Sequence, residues 1–228
     1  SRARGSRRIS DNHNEIEKEH TKMKVLLLNG SIHTDGNTRV ALEEISKQLK
    51  KEEIETEIFQ IGVKPIRDCI GCNKCTKDGC IFDDDVCNEF IQKAKEADGF
   101  IFGSPVYYAH PSGRILSLLD RAFYSSASAF RFKPVASITV ARRAGTSTTF
   151  DVLNKYATIS NRFLVGSSYW NNVFGCKRGE AMRDEEGLQT RRNLAFNRSY
   201  ILKCREAGKK EGVSLPKTEH AHHLNFIH

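Results

Sequence analysis

Four cysteines with short, regular spacing are the residues most suited to chemistry in this 228-residue sequence. Cys69, Cys72, Cys75 and Cys80 lie within twelve consecutive residues. Thiolates bind iron–sulfur clusters and zinc, and zinc sites usually draw on two separated pairs of ligands. Three thiols at intervals of three residues therefore favour a [4Fe–4S] cluster over zinc. A zinc site, a redox-switching disulfide and a loop without metal stay open as alternatives.

A second candidate site lies in residues 24–38, where an apolar run is followed by small and polar residues. The run at 25–28 is typical of a buried strand, and a helical pattern begins at Asn37. Such a loop binds anions, because backbone N–H groups and the positive end of the helix dipole face it. The loop lacks the Gly-Lys-Ser/Thr ending of a Walker sequence and the full G-x-G-x-x-G pattern. A phosphate held by hydroxyl and N–H groups alone favours FMN over ATP.

Alternating strand and helix patterns supply the elements that position both candidate sites. Apolar residues at helical spacing predict five helices. Four are expected at 37–51, around 115–123, at 146–158 and at 184–207, and the remaining one is expected to begin after Asp85, which would be its N-cap. Apolar or alternating runs predict five strands, at 25–28, 54–61, 99–103, 135–141 and 162–165. Repeated alternation with short connections is typical of parallel sheets. The predicted fold class is therefore α/β, a doubly wound five-stranded parallel sheet with helices on both faces.

One domain is predicted over residues 23–207, with the cysteine loop at 62–84 inserted after the second strand. Residues 1–22 are polar and lack apolar periodicity, so we expect a disordered extension or a cloning remnant there. Residues 208–228 are a C-terminal tail to which no role is assigned.

Composition narrows the class of protein. The net charge is +8, but the basic residues are scattered or terminal, which favours general attraction of anionic ligands over a nucleic-acid surface. No apolar run approaches the ~20 residues that span a bilayer, and the N-terminus lacks the apolar core of a signal peptide. We therefore expect a cytoplasmic, soluble protein without nucleic-acid or membrane partners. In that compartment, clustered cysteines favour metal or redox chemistry over a disulfide framework.

Three loops of the predicted sheet are expected to meet. Ligands in doubly wound sheets bind beyond the carboxyl ends of the strands, near the switch in strand order. The loops after the first, third and fourth predicted strands are NGSIHTDGNT, GSPVYYAHPSG and ARRAGTST. Each is rich in small residues, and two carry aromatic or cationic side chains. Their convergence predicts one binding site rather than three unrelated turns.

These three loops, with YWNNVFG at 169–175 and DEEGLQTRRNLAFN at 184–197, resemble the NADPH-dependent FMN reductase family of the flavodoxin-like fold. The similarity covers residues 24–206. The cysteine loop, CIGCNKCTKDGCIFDDD, is also similar to that of iron–sulfur flavoproteins and to a cluster-free loop of many flavin reductases. The resemblance implies an FMN cofactor and leaves the cluster open.

The resemblance also implies which residues bind FMN. The first loop would hold the phosphate with Ser31, His33, Thr34, Asn37 and Thr38, and His33 would contribute mainly through its backbone. The second loop would flank the isoalloxazine ring with Ser104, Pro105, Val106, Tyr107 and Tyr108. The third loop would face the pyrimidine end of the ring with Ala141, Arg142, Arg143, Ala144 and Gly145.

Simpler structural roles are the alternatives to these assignments. Asn37 and Thr38 can act as helix caps alone. One of the two adjacent tyrosines is expected to pack beneath the helix that begins near Ser112. One of the two adjacent arginines is expected beside the flavin, and the alternatives for the pair are a solvated surface position or a clamp for NADPH.

The implied activity is that of an FMN-dependent oxidoreductase. It would take hydride from NAD(P)H and reduce a quinone, a nitro or azo compound, a flavin or a similar acceptor. The flavin carries this chemistry, so no catalytic side chain is required, and His110 is only a candidate proton donor. One alternative is an iron–sulfur flavoprotein that transfers electrons between protein partners. A metal-binding or redox-sensing protein is a third interpretation.

Two further expectations concern assembly and the remaining cysteines. The resemblance implies a homodimer or homotetramer, with Trp170 and residues 169–175 as candidate contacts, while a packed crossover loop is the alternative. Cys87 and Cys204 fall within predicted helices, where they are expected to be small apolar residues.

Overall fold

Strands and helices alternate along the chain as the sequence pattern predicts. The computed structural model describes residues 22–219. The strands are β1 (Lys24–Asn29), β2 (Glu55–Gln60), β3 (Gly99–Tyr107), β4 (His110–Pro111), β5 (Pro134–Ala141), β6 (Phe163–Leu164) and β7 (Asn172–Phe174). The helices are α1 (Asn37–Lys51), α2 (Cys87–Glu96), α3 (Gly113–Ser125), α4 (Thr146–Thr158) and α5 (Glu185–Lys210).

The predicted parallel sheet is confirmed, with the strand order β2-β1-β3-β5-β6. The order switches at β1, which pairs with both β2 and β3. β6 pairs with the start of β5 and β7 pairs with its end, so these two short strands share the edge position. β4 folds back antiparallel on the end of β3. β4 and β7 were not predicted, because neither contains three consecutive apolar residues, as the segment 163–165 at β6 does.

Side chains of β1 alternate between two cores, one on each face of the sheet. Leu26 and Leu28 pack in the core beneath α2 and α3. Val25 and Leu27 pack in the core beneath α1 and α5. All four side chains are fully buried. This alternation explains why the strand reads as an uninterrupted apolar run, since both of its faces are covered.

The predicted element bounds agree with the structure apart from a few ends. α1 and α4 begin and end where predicted. Val86, not Asp85, occupies the N-cap position of α2. The Asp85 carboxylate still accepts from the Cys87 N–H at 3.0 Å while it pairs with Arg121 from α3. α5 continues to Lys210, three residues past the predicted end of the domain. Cys204 is exposed on α5, so its prediction as a small apolar residue is wrong, whereas Cys87 is buried as predicted.

The predicted N-terminal extension lies outside the described residues except for Lys22, and so does the end of the predicted tail, 220–228. The described part of the tail contacts the domain. The Thr218 hydroxyl accepts hydrogen bonds from Arg131 at 3.3 Å and from Asn161 at 2.7 Å. None of the helices between residues 22 and 219 combines the length and the apolar character of a membrane span.

A buried aromatic cluster gives a direct test of the core. The Phe130 ring is fully buried and lies 4.1 Å from the Phe123 ring and 4.8 Å from the Phe100 ring. We expect Phe130→Ala to lower the free energy of unfolding by about 3–5 kcal/mol, because it leaves a cavity among the rings. The exposed control Ile159→Ala should change it by less than about 0.5 kcal/mol in the same urea titration. Equal losses in the two variants would contradict this packing.

Candidate functional site

The first and second predicted loops meet directly through hydrogen bonds. The Gly30 N–H donates to the Gly103 carbonyl at 2.7 Å. The Ser112 hydroxyl donates to the Gly30 carbonyl at 2.8 Å, and the Ser112 N–H donates to the Ser104 hydroxyl at 2.9 Å. A Cβ atom at Gly30 would lie 2.8 Å from the Gly103 oxygen, so this approach requires glycine. The predicted convergence of these two loops is confirmed.

The third loop packs against the tip of the β3–β4 hairpin. Gly145 has a φ of +86°, and a Cβ atom there would lie 2.7 Å from the Ala109 Cα. Tyr108 and Ala109 form the two-residue turn of the hairpin, with φ values of 49° and 61°. Tyr107 is half exposed and Tyr108 is fully exposed. The expectation that one tyrosine packs beneath α3 is therefore wrong, because Tyr108 lies in the tight turn and Tyr107 directly before it, and both side chains are exposed there.

The loop after β1 is held by two side chains that were not predicted. The Asn29 amide donates to the His33 carbonyl at 3.1 Å and to the Gln60 side chain at 2.7 Å, and its oxygen accepts from the Ser31 N–H. The Gln60 amide donates to the Ser31 carbonyl at 2.6 Å. Within residues 22–219, no side chain caps α1 at Gly36. The first N–H groups of α1 therefore stay open to an anion.

Asn37 connects this loop to a distant segment. Its side-chain amide donates to the Lys177 carbonyl at 2.9 Å, and its oxygen accepts from the Ala181 N–H at 3.1 Å. Both ends of the Asn37 side chain are thus engaged with backbone, and Thr38 is nearly fully buried. Simple helix capping by these two residues, the alternative considered above, is not what the structure shows, since Gly36 holds the cap position.

The arginines and the histidine of the other loops face solvent. Arg142, Arg143 and His110 are all exposed, and Ala141 is buried at the end of β5. Both arginines follow β5 directly, at the carboxyl end of the sheet where the other two loops also lie.

The four clustered cysteines line one cavity, between the cysteine loop and α3. The cavity is completed by Ile70, Asn73, Phe82, Arg121 and Tyr124. Burial, and then the negative charges of the other three cysteines, raise the pKa of Cys75. All four are free thiols. In the part of the chain that the structure describes, no group of three or more His, Cys, Asp or Glu side chains is arranged to hold a metal ion.

α3 holds the cysteine loop from one side. The Arg121 Nε donates to the Cys80 sulfur at 3.3 Å, and its terminal nitrogens bind Asp85, the Phe82 carbonyl and the Arg67 carbonyl. Burial alone would lower the pKa of Arg121, but the hydrogen bonds to Cys80 and Asp85 keep that pKa above its ordinary value. Arg121 was not predicted as a site residue.

α2 and a glycine hold the other side of the loop. The Asn88 amide oxygen accepts from the Cys80 N–H at 2.9 Å, and its nitrogen donates to the Cys80 carbonyl at 2.9 Å. Gly79 has a φ of +145°, and a Cβ atom there would lie 2.4 Å from the Asn88 oxygen. Left-handed residues Gly71 and Asn73 flank Cys72. Backbone of this kind presents N–H groups to anionic groups, including iron–sulfur sites.

The parallel sheet and the three converging loops define a flavodoxin-like protein. Comparison with known proteins agrees, since a flavodoxin from the domain Archaea superposes with a TM-score of 0.54 and 14% identity, over 79% of this chain and 99% of that chain. Residues 23–175 match the sequence model of the NADPH-dependent FMN reductase family. The chain belongs to that family and is an FMN-dependent oxidoreductase.

Two relatives refine the comparison. An iron–sulfur flavoprotein of Methanocaldococcus jannaschii is 34% identical over 190 residues, which cover 79% of this chain and 98% of the relative. An FMN-dependent NADPH-azoreductase of Staphylococcus aureus is 28% identical over 120 residues, which cover 51% of this chain and 59% of the relative. The similarity to the iron–sulfur flavoprotein extends over nearly all of that protein.

The bridge made by Asn37 can be tested without any ligand assay. We expect Asn37→Leu to speed hydrogen exchange at the Ala181 amide about fivefold, because one hydrogen bond of about 1 kcal/mol is lost. Lys47→Leu, at an exposed position of the same helix, should leave that exchange unchanged. Identical exchange at Ala181 in both variants would show that the bridge does not hold the segment.

Proposed function

We propose that this oxidoreductase carries two redox groups, FMN in the three loops and a [4Fe–4S] cluster in the cysteine loop. NAD(P)H would serve as the electron donor, and a small organic acceptor or a redox protein would take the electrons. The observation that carries the proposal is that all four clustered cysteines line one cavity, with the buried guanidinium of Arg121 donating to the Cys80 sulfur. The family and the iron–sulfur flavoprotein relative support it.

The first loop fits the phosphate of FMN. Its open N–H groups at the start of α1 supply donors, and the hydroxyls of Ser31, Thr34 and Thr38 lie in the same segment. Because the Asn37 side chain is engaged elsewhere, its contribution is through the backbone N–H and through holding residues 175–181 against the loop.

The second and third loops fit the ring of FMN. Pro105 and Val106 are partly exposed at the end of β3, and the two tyrosines beyond them provide aromatic faces. Arg142 or Arg143 would favour a negative charge at the pyrimidine end of the ring. FMN bound there would supply hydride chemistry, and the protein would bind and orient it rather than donate a catalytic side chain.

The cysteine loop fits an iron–sulfur cluster better than a single zinc ion. Four cysteines line a cavity, and Cys72 is flanked by left-handed backbone, a conformation that can present N–H groups to an anionic group. Cys69 and Cys75 are exposed, so the cavity opens to solvent. A cluster there would exchange single electrons, and an electron could pass to a partner at this surface.

The proposal also includes the predicted association of two or four copies of the chain. Tyr169 and Trp170 are exposed by 67% and 55% of their surface, which suits a contact between copies. A homodimer or homotetramer therefore stays a prediction.

Flavin binding at the first loop can be tested with a charge. Thr34 is exposed, so Thr34→Glu should fold, and its carboxylate should weaken FMN binding about tenfold by repelling the phosphate. Ser160→Glu adds the same charge at an exposed position far from the loops and should bind FMN normally. Fluorescence titration of both variants with FMN measures the difference. Unchanged affinity in Thr34→Glu would place the phosphate elsewhere.

Iron content tests the cluster. We expect Cys72→Ser to lose iron and keep FMN, because it removes one of four ligands. Cys204→Ser removes an exposed thiol outside the cavity and should keep both. Metal analysis and the visible spectrum of protein purified without oxygen report the two cofactors separately. A flavin-containing wild type without iron would leave the reduction of organic acceptors as the function, as the similarity to the azoreductase suggests.

A further inference from the structure

Arg121 is a fully buried cation that is paired with a buried carboxylate beside the cysteine loop. Its side chain has no exposed surface, and that of Asp85, with which it forms an ion pair, is 3% exposed. Four hydrogen bonds engage the guanidinium, to Cys80, Asp85, Phe82 and Arg67. Only the bond to Cys80 ends on a sulfur, at 3.3 Å from Nε.

Stability alone does not account for this arrangement. Removing two charges from water is costly, and a buried ion pair can often be replaced by apolar side chains of similar volume without loss of stability. A guanidinium that donates to a thiolate has a different consequence. It withdraws electron density from the sulfur and stabilises additional negative charge on whatever the sulfur binds.

We propose that Arg121 is a positioning residue for the cluster, which holds the Cys80 sulfur in place and raises the reduction potential of the cluster through that hydrogen bond. This inference rests on the proposed cluster. The geometry sets Cys80 apart, because Asn88 also binds its N–H and its carbonyl, so that the sulfur and the backbone of this one cysteine are both fixed. Reduction adds one negative charge, which a charged N–H donor favours.

A neighbouring ion pair provides a matched control. Arg67 pairs with Asp84 beside the same loop, but both side chains are about half exposed and the pair does not include a cysteine. Replacing either pair by Gln and Asn leaves the net charge unchanged. The variant Arg121→Gln with Asp85→Asn removes the charged donor at the Cys80 sulfur. The variant Arg67→Gln with Asp84→Asn removes an arginine–aspartate pair beside the same loop whose side chains do not bind a cysteine.

The reduction potential of the cluster is the informative quantity, measured by redox titration followed by electron paramagnetic resonance. Iron and FMN content are measured on the same samples. We expect the Arg121/Asp85 variant to keep iron and to have a lower potential than the wild type, while the Arg67/Asp84 variant keeps both iron and potential. Because the net charge of the Arg121/Asp85 variant is unchanged, a fall in its reduction potential reports the loss of the hydrogen bond to the Cys80 sulfur. Equal potentials in all three proteins overturn the role of Arg121.

Asp85→Asn alone covers the case in which the double variant does not fold. Loss of a nearby carboxylate raises the potential by its charge alone, so Asp84→Asn serves as the comparison. We expect a larger rise in Asp85→Asn, because the guanidinium then acts on Cys80 unopposed, and equal rises in the two variants overturn the inference. Wild-type protein that contains FMN and no iron overturns the cluster itself together with this role. The iron content of the wild type thus separates failure of the proposed function from failure of the inference.

Discussion

A guanidinium that is removed from water must have its N–H groups satisfied, and Arg121 meets this requirement almost entirely through the cysteine loop. One side chain thereby ties together both ends of a loop that has almost no regular secondary structure. The same helix, α3, begins at Ser112, whose hydroxyl binds Gly30 in the loop after β1. Arg121 follows Ser112 by nine positions, or about 13.5 Å along the helix axis. α3 is therefore a rigid link between the two candidate cofactor sites.

Much of the fold follows from sequence because buried elements leave periodic patterns. β1 is covered on both faces and appears as a continuous apolar run, while α1 and α4 show their buried stripes over their whole lengths. The elements that were missed, β4 and β7, depend on pairing with β3 and β5 rather than on their own two or three residues. Cys204 was placed wrongly because an exposed cysteine on a helix has the same local pattern as a buried one.

The candidate sites were predicted in outline, but not the side chains that organise them. Cysteine spacing is a local property and marks the loop directly. Arg121, Asn88 and Gln60 act on backbone or sulfur atoms of distant segments, and the choice of such partners depends on tertiary contacts. A signal for Arg121 does exist, since a lone cation lies within the apolar stripe of α3 between Leu118 and Ala122. The exposure of Tyr108 depends on a two-residue turn without glycine, which sequence patterns do not favour.

The central claim is that one chain holds both a flavin and an iron–sulfur cluster. The most direct measurement is the content of FMN, iron and acid-labile sulfide per chain in wild-type protein purified and handled without oxygen. The account predicts one FMN with about four iron and four sulfide. Protein that contains FMN but no sulfide and no iron after anaerobic reconstitution would contradict it.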